Sequence, residues 1–235
     1  SSDVCSSDLT KVLDWNGSSW QHLRPSIVAE PSCGSVYPEA VSISNNGLIV
    51  AIGDTLTSRG CGTKEGHVEI FEWTGSEWEQ LGDDIDGATN SYLGNTVALN
   101  AAGDRLAVGS ARGKNVNIYR FNGSTWEPMG NSIPFNGFRV TFSRDGNTVV
   151  VGSGTDARHP QKLTAYRWDG KDWEMTTEIG GQIWNFPSLN ADGERLASSV
   201  VLQNPKRIRV TEFNDLTLGR SEEHTSELQS HSDLV

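Results

Sequence analysis

Eight basic residues gather in four short stretches of this 235-residue chain. Arg59 and Lys64 lie within 54–66, Arg112 and Lys114 within 110–115, Arg158 and Lys162 within 153–162, and Lys206 and Arg207 within 202–207. With Asp54, Glu65 and Asp156 as the only acids there, these stretches carry a formal +5 in a chain whose total is −11. Ammonium and guanidinium groups grouped this way suit the oxygens of carboxylate, sulfate or phosphate. Bond-breaking chemistry has no comparable signature. The sequence holds no Gly-x-Ser-x-Gly elbow, His-Glu-x-x-His, phosphate-binding glycine loop or Cys-x-x-Cys pair. No cofactor or metal is expected. His22, His67 and His159 fall at three different places in the pattern described next, so each reads as a surface or packing residue.

The basic stretches are positioned by a repeat. Gly17/Trp20, Gly75/Trp78, Gly123/Trp126 and Gly170/Trp173 share one Gly-x-x-Trp spacing, with steps of 58, 48 and 47 residues. A turn-and-strand pattern keeps the same period at Gly47/Gly53, Gly103/Gly109 and Gly146/Gly152, and begins again at Gly193. Between the anchors, apolar and polar residues alternate as in half-buried strands, with Val97 and Leu99 facing Leu106 and Val108 across Ala101–Asp104. Asn122-Gly123 reads as a two-residue type I′ hairpin. In the fourth unit the pattern predicts strands Arg139–Ser143, Thr148–Gly152, Leu163–Trp168 and Trp173–Met175. A four-stranded unit every roughly 40–50 residues is the mark of a β-propeller blade. The expected fold is an all-β propeller arc of about four to five four-stranded antiparallel blades. The units run over about 10–24, 37–82, 93–130, 138–176 and 184–215. The recurring Trp and Phe residues are expected to pack between blades. In a meander, loops joining second and third strands all emerge on one face, so the basic stretches would form a cationic rim there.

Both ends stand outside the repeat. Residues 1–9 and the run from Arg220 to Leu228 can be encoded by complementary strands of one short DNA sequence, which marks 1–9 and 220–235 as translated sequencing adaptor. Without them residues 10–219 hold 18 Lys+Arg against 24 Asp+Glu, a net −6. The propeller is then expected to be part of a longer protein, with apolar blade faces open to association. No run of 18 apolar residues exists to span a membrane. Cys33 lies just ahead of the unit 37–82 and Cys61 in that unit's longest loop, as a disulfide or as two thiols. Asn16-Gly17-Ser18 and Asn122-Gly123-Ser124 match the N-glycosylation acceptor pattern, although a turn wants Asn-Gly there in any case.

The units LNAAGDRLAVGS (99–110), FSRDGNTVVVGSG (142–154), LNADGERLASS (189–199) and GHVEIFEWTGSEWEQLGDDIDG (66–87), echoed by NVNIYRFNGSTWEPMGNSI (115–133), resemble integrin-α-like, FG-GAP-type propeller repeats. They are most similar to a degenerate form found in surface proteins of protists and microalgae. That resemblance implies a calcium loop after the second strand in some members. The loops 54–59, 110–115 and 153–158 lack the required spacing of Asp and Asn, which leaves Asp83, Asp84 and Asp86 as the one acidic cluster. The expectation is a non-catalytic binding or scaffold module, secreted or at the cell surface, whose partner is a protein or an anionic glycan. Nucleic acid is disfavoured by the acidic balance. The alternative is a propeller enzyme, a hydrolase or lyase, whose active site is completed elsewhere.

Overall fold

A computed structural model describes residues 9–22, 24–28, 38–55, 64–134, 139–153, 162–180, 187–200 and 207–212. Its strands fall into five successive antiparallel units. The first holds β1 (Leu9–Thr10), β2 (Asp14–Trp15), β3 (Trp20–Gln21) and β4 (Ile27–Val28), and Leu9, expected outside the repeat, pairs within it with Val28. The second holds β5 (Pro38–Ile43), β6 (Ile49–Asp54), β7 (His67–Trp73), β8 (Trp78–Gln80) and β9 (Ile85–Asp86). The third repeats it with β10 (Leu93–Leu99), β11 (Arg105–Ser110), β12 (Asn115–Phe121), β13 (Trp126–Pro128) and β14 (Ile133–Pro134). The fourth is β15 (Arg139–Phe142), β16 (Thr148–Ser153), β17 (Lys162–Trp168) and β18 (Trp173–Gly180), and the fifth is β19 (Ser188–Leu189), β20 (Arg195–Val200) and β21 (Arg207–Glu212). Within each complete unit the strands pair in chain order as a meander, and no helix occurs among the described residues.

The turn between the first two strands explains the recurring Ser or Asn after an apolar residue. Asn100 Oδ1 accepts the amides of Gly103 and Arg105, both at 3.0 Å, and Ser143 Oγ accepts that of Thr148 at 3.0 Å. One residue further on, the backbone links neighbouring blades. Asn45 N–H donates to Ala101 O, Ala101 N–H to Arg144 O, and Arg144 N–H to Ala191 O, at 2.9–3.0 Å. Inner strands therefore stand side by side, with β10 packed against both β5 and β15.

The hairpin between third and fourth strands differs from the two-residue turn the Asn-Gly pair predicts. Phe121 pairs with Trp126 and Trp15 with Trp20, so each loop has four residues. Asn122 Oδ1 accepts the amides of Ser124 and Thr125, which turns the chain without a left-handed Asn; Gly123 alone takes φ of +102°. Thr74 and Asp169 hold the same position in their own hairpins, where Asp169 Oδ1 accepts two amides. The flanking aromatics stack across the strands with centroids 5.2–5.6 Å apart, which favours pairing at that register over a tighter turn.

After the fourth strand the chain leaves the sheet at Gly82 or Gly130 and returns as a two-residue strand, Ile85 opposite Val68 and Ile133 opposite Val116. The fourth blade does without that detour. The strand expected to stop at Met175 runs on to Gly180, because a bulge between Ala165 and Tyr166 lets β18 follow β17 to its start.

Between blades lies the core. Ala51, Val68, Ile70 and Ile85 of the second blade meet Leu93, Val97, Leu106, Val108 and Trp126 of the third, all buried. The third meets the fourth through Ala107, Val116, Ile118 and Met129 against Phe142, Val149 and Trp173. The expected role of the tryptophans is what the structure shows. Trp173 Nε1–H donates to Met129 O at 2.8 Å, and Trp78 Nε1–H to Pro25 O at 3.1 Å, each reaching the preceding blade.

Candidate functional site

Three segments meet at one corner of the face formed by the loops between second and third strands. They are residues 64–66 ahead of β7, the connector 87–92 ahead of β10, and the loop 111–114 after β11. Ser91 fastens them. Its hydroxyl donates to Glu65 O at 2.8 Å, and its carbonyl accepts the Ser110 hydroxyl at 2.8 Å and the Arg112 amide at 3.0 Å. Leu93 N–H donates to Glu65 O at 3.0 Å, which closes the corner from the other side.

The backbone of this corner is strained. Asn90, Tyr92 and Lys114 have φ of 61°, 55° and 55°, and they are the non-glycine residues with positive φ among the described residues. Left-handed backbone in non-glycine residues costs on the order of 1–3 kcal/mol each and persists where the surroundings over-determine it. Here the interlocked bonds of Ser91 do that.

Over this frame lies Tyr92, half-buried. The Arg112 guanidinium carbon is 4.5 Å from its ring centroid and Lys64 Nζ 5.6 Å. The two cations are thus no further apart than the sum of those distances, about 10 Å, as cation–π contacts with a single ring require. Lys114 lies in the same loop as Arg112, and Lys64, Arg112 and Lys114 are all exposed. None of the three forms an ion pair among the described residues. Two cations thus share one aromatic ring, and the third stands two residues further along the same loop.

The other residues of the expected rim fare differently. Lys162 is the first residue of β17 rather than a loop residue, and its Nζ is 2.5 Å from Glu178 Oε2 on β18. Arg207 opens β21, opposite Val200. Arg59, Arg158 and Lys206 lie outside the described residues, as do Cys33 and Cys61. Tyr92 and Asn90 escaped the sequence reading, because neither a left-handed φ nor a shared ring partner leaves a trace in residue order.

The acidic connector is partly absorbed into the blade. Asp84 accepts a bond from Gln80 Nε2 at 2.5 Å, and Asp86 sits in β9 opposite His67. Among the described residues no group of three or more His, Cys, Asp or Glu side chains is placed to hold a metal. His67 is buried, with Nε2 3.6 Å from Glu69 Oε2. Burial alone would lower its pKa, but the hydrogen bond to Glu69 and the fields of Glu69, Asp84 and Asp54 raise it above the usual 6.5. On the opposite face, the turns between first and second strands surround a shallow cleft of about 280 Å³, walled by Leu99, Phe142 and Leu189, with Arg144 exposed at its mouth.

Side-by-side inner strands and face-to-face antiparallel sheets define the chain as an all-β propeller arc. Solved structures of propeller-like proteins match it as folds. One is a putative 6-phosphogluconolactonase from Bacteroides fragilis, at 13% identity and TM-score 0.55 over 81% of this chain and 59% of that one. A functionally unknown protein from Desulfotomaculum acetoxidans matches at 11% identity and TM-score 0.51, over 82% and 61%. TolB from Acinetobacter baumannii matches at 14% identity and TM-score 0.50, over 80% and 42%. The chain thus spans 42–61% of the length of these structures. No protein-family model and no curated protein matches the chain. The likeness is of fold, and a propeller fold serves many functions.

Proposed function

We propose that the chain is a non-catalytic propeller module that binds an anionic glycan outside the cell through the corner of Lys64, Tyr92, Arg112 and Lys114. The carrying observation is the single ring of Tyr92 within cation–π reach of both Arg112 and Lys64, with Lys114 two residues along the same strained loop. Cations held at set spacing lose little freedom on meeting sulfate or carboxylate groups, which is where pre-organised sites gain affinity. Two exposed Asn-Gly-Ser turns, at Asn16 and Asn122, support an extracellular setting, as does the resemblance to FG-GAP-type repeats.

The test is retention on a sulfated-glycan column. Changing Lys64, Arg112 and Lys114 to Gln should move elution to distinctly lower salt, while Lys162→Gln, which removes an already paired charge, should leave it in place. Shifts in proportion to the charges removed, about three to one, would mean that net charge alone governs binding. Retention of an acidic peptide but not of the glycan would reassign the corner to a protein partner. A hydrolase or lyase is the second reading, favoured by the cleft at Arg144; turnover lost on Arg144→Ala would support it.

A further inference from the structure

The first two blades meet over only half of their width. In the third blade, Val97 and Leu99 of the inner strand β10 are 7% and 9% exposed, because β5 and β6 of the preceding blade lie against them. Their counterparts in the second blade are Val41 and Ile43. Val41 faces Ile52 as Val97 faces Val108, and Ile43 faces Val50 as Leu99 faces Leu106. Yet Val41 and Ile43 are 61% and 49% exposed. The outer half of the same face is covered, since Val50, Ile52 and Phe71 are buried against Val12 and Ile27.

The register shows what the covering blade contains. Trp15 pairs with Trp20 as Phe121 pairs with Trp126, and Thr10 pairs with Ile27 as Val116 pairs with Ile133. Leu9–Trp15 therefore corresponds to β12, and residues 20–28 to β13 and β14. The first blade presents its two outer strands. In the third blade the other edge of β12 is occupied by β11 along its whole length, from Arg105 opposite Arg120 to Ser110 opposite Asn115. The matching edge of residues 9–15 carries no strand among the described residues.

We propose that this edge, unpaired among the described residues, and the Val41–Ile43 stripe form one seat for a two-stranded antiparallel hairpin of the repeat's own inner type. β10–β11 is the pattern: apolar residues at alternate positions, a Ser or Asn turn, and a small residue at the centre of its second strand. Ala51 and Ala107 hold that central place with no exposure at all. Backbone bonds to residues 9–15 supply attachment, as in strand addition to a sheet edge, and the alternating side chains supply selectivity. The seat continues an established interface, the buried cluster of Val12, Ile27, Val50, Ile52 and Phe71.

The test places a second copy of residues 93–114 directly ahead of Leu9, in place of residues 1–8, which reproduces the connection from β11 to β12. The control lacks 1–8 and carries no insert. Hydrogen exchange should slow at least tenfold at the amides of 9–15 in the extended chain, and binding of an apolar dye should fall. Val41→Asp with Ile43→Asp should cancel both effects while exchange in 162–168 stays slow, which shows that the variant remains folded. Unchanged exchange at 9–15, or protection indifferent to the two aspartates, would overturn the proposal. So would a control chain that dimerises in sedimentation and loses the dimer with Val41→Asp, since the seat would then belong to a second copy.

Discussion

The indole Nε1 of Trp126 donates to the backbone carbonyl of Leu81 at 2.8 Å, a hydrogen bond that crosses from the third blade to the second. The same ring is 9% exposed and forms part of the core between those blades. Its apolar area and its polar handle thus act at one place. Trp126→Phe keeps much of the area and leaves the Leu81 carbonyl without its donor, which costs about 1–2 kcal/mol. Trp20, with no described blade ahead of it, is 66% exposed, and Trp20→Phe should cost nothing measurable. Urea unfolding of the two variants checks the contrast.

Gly130 receives the neighbouring tryptophans. Its φ is +76°, and an added Cβ would lie 2.9 Å from Trp168 Cζ3 and 3.0 Å from Trp173 Cδ1. Gly130→Ala meets strain and ring contact together, so a loss of about 2–4 kcal/mol is expected. Gly123→Ala, in open space at φ +102°, meets strain alone, about 1 kcal/mol. Thermal unfolding of both variants measures the difference.

His67 makes stability depend on pH. Burial opposes its charge, but Glu69, Asp84 and Asp54 outweigh burial and raise its pKa above 6.5. Folding therefore favours the protonated ring. That contribution is complete below about pH 6.5 and is lost as pH rises through the higher folded value. The urea midpoint should fall on raising the pH from about 6.5, and His67→Gln should flatten that step. A wild-type midpoint constant across this range would show that the carboxylates do not act on His67.

Much of this architecture was legible in residue order. The Gly-x-x-Trp spacing announced the blades because the indoles of Trp78, Trp126 and Trp173 each reach a carbonyl of the preceding blade, and that demand recurs from the second blade to the fourth. The Ser or Asn ahead of the first turn stands in residue order at Ser44, Asn100, Ser143 and Asn190, but its capping of amides three to five residues on emerged only from the structure. The hairpin loop was misjudged from the same Asn-Gly pair, because pairing of Phe121 with Trp126 and capping by Asn122 Oδ1 outweigh the type I′ preference. Pairing of Lys162 with Glu178 depends on the register that the bulge between Ala165 and Tyr166 sets along β17 and β18, and residue order does not announce that bulge, so the expected rim lost one charge unseen. The corner itself is assembled from three segments, and Tyr92, at φ of 55°, has its ring within 4.5 Å of Arg112 and 5.6 Å of Lys64, a convergence residue order does not display.

Loss of the ring tests the geometry separately from the charge. Tyr92→Leu keeps all three cations and removes the surface that holds Arg112 and Lys64 together. Affinity for a sulfated oligosaccharide should fall roughly three- to tenfold, the size of one or two cation–π contacts. Equal affinity in isothermal titration would show that the cations act independently of Tyr92.

The most direct measurement is a titration of the isotopically labelled chain with a sulfated oligosaccharide, followed by backbone amide shifts. Shifts should saturate together at residues 64–66, 90–93 and 111–115 and weaken as salt is added. Shifts confined to the turns around Arg144, or none at saturating ligand, would contradict binding at this corner.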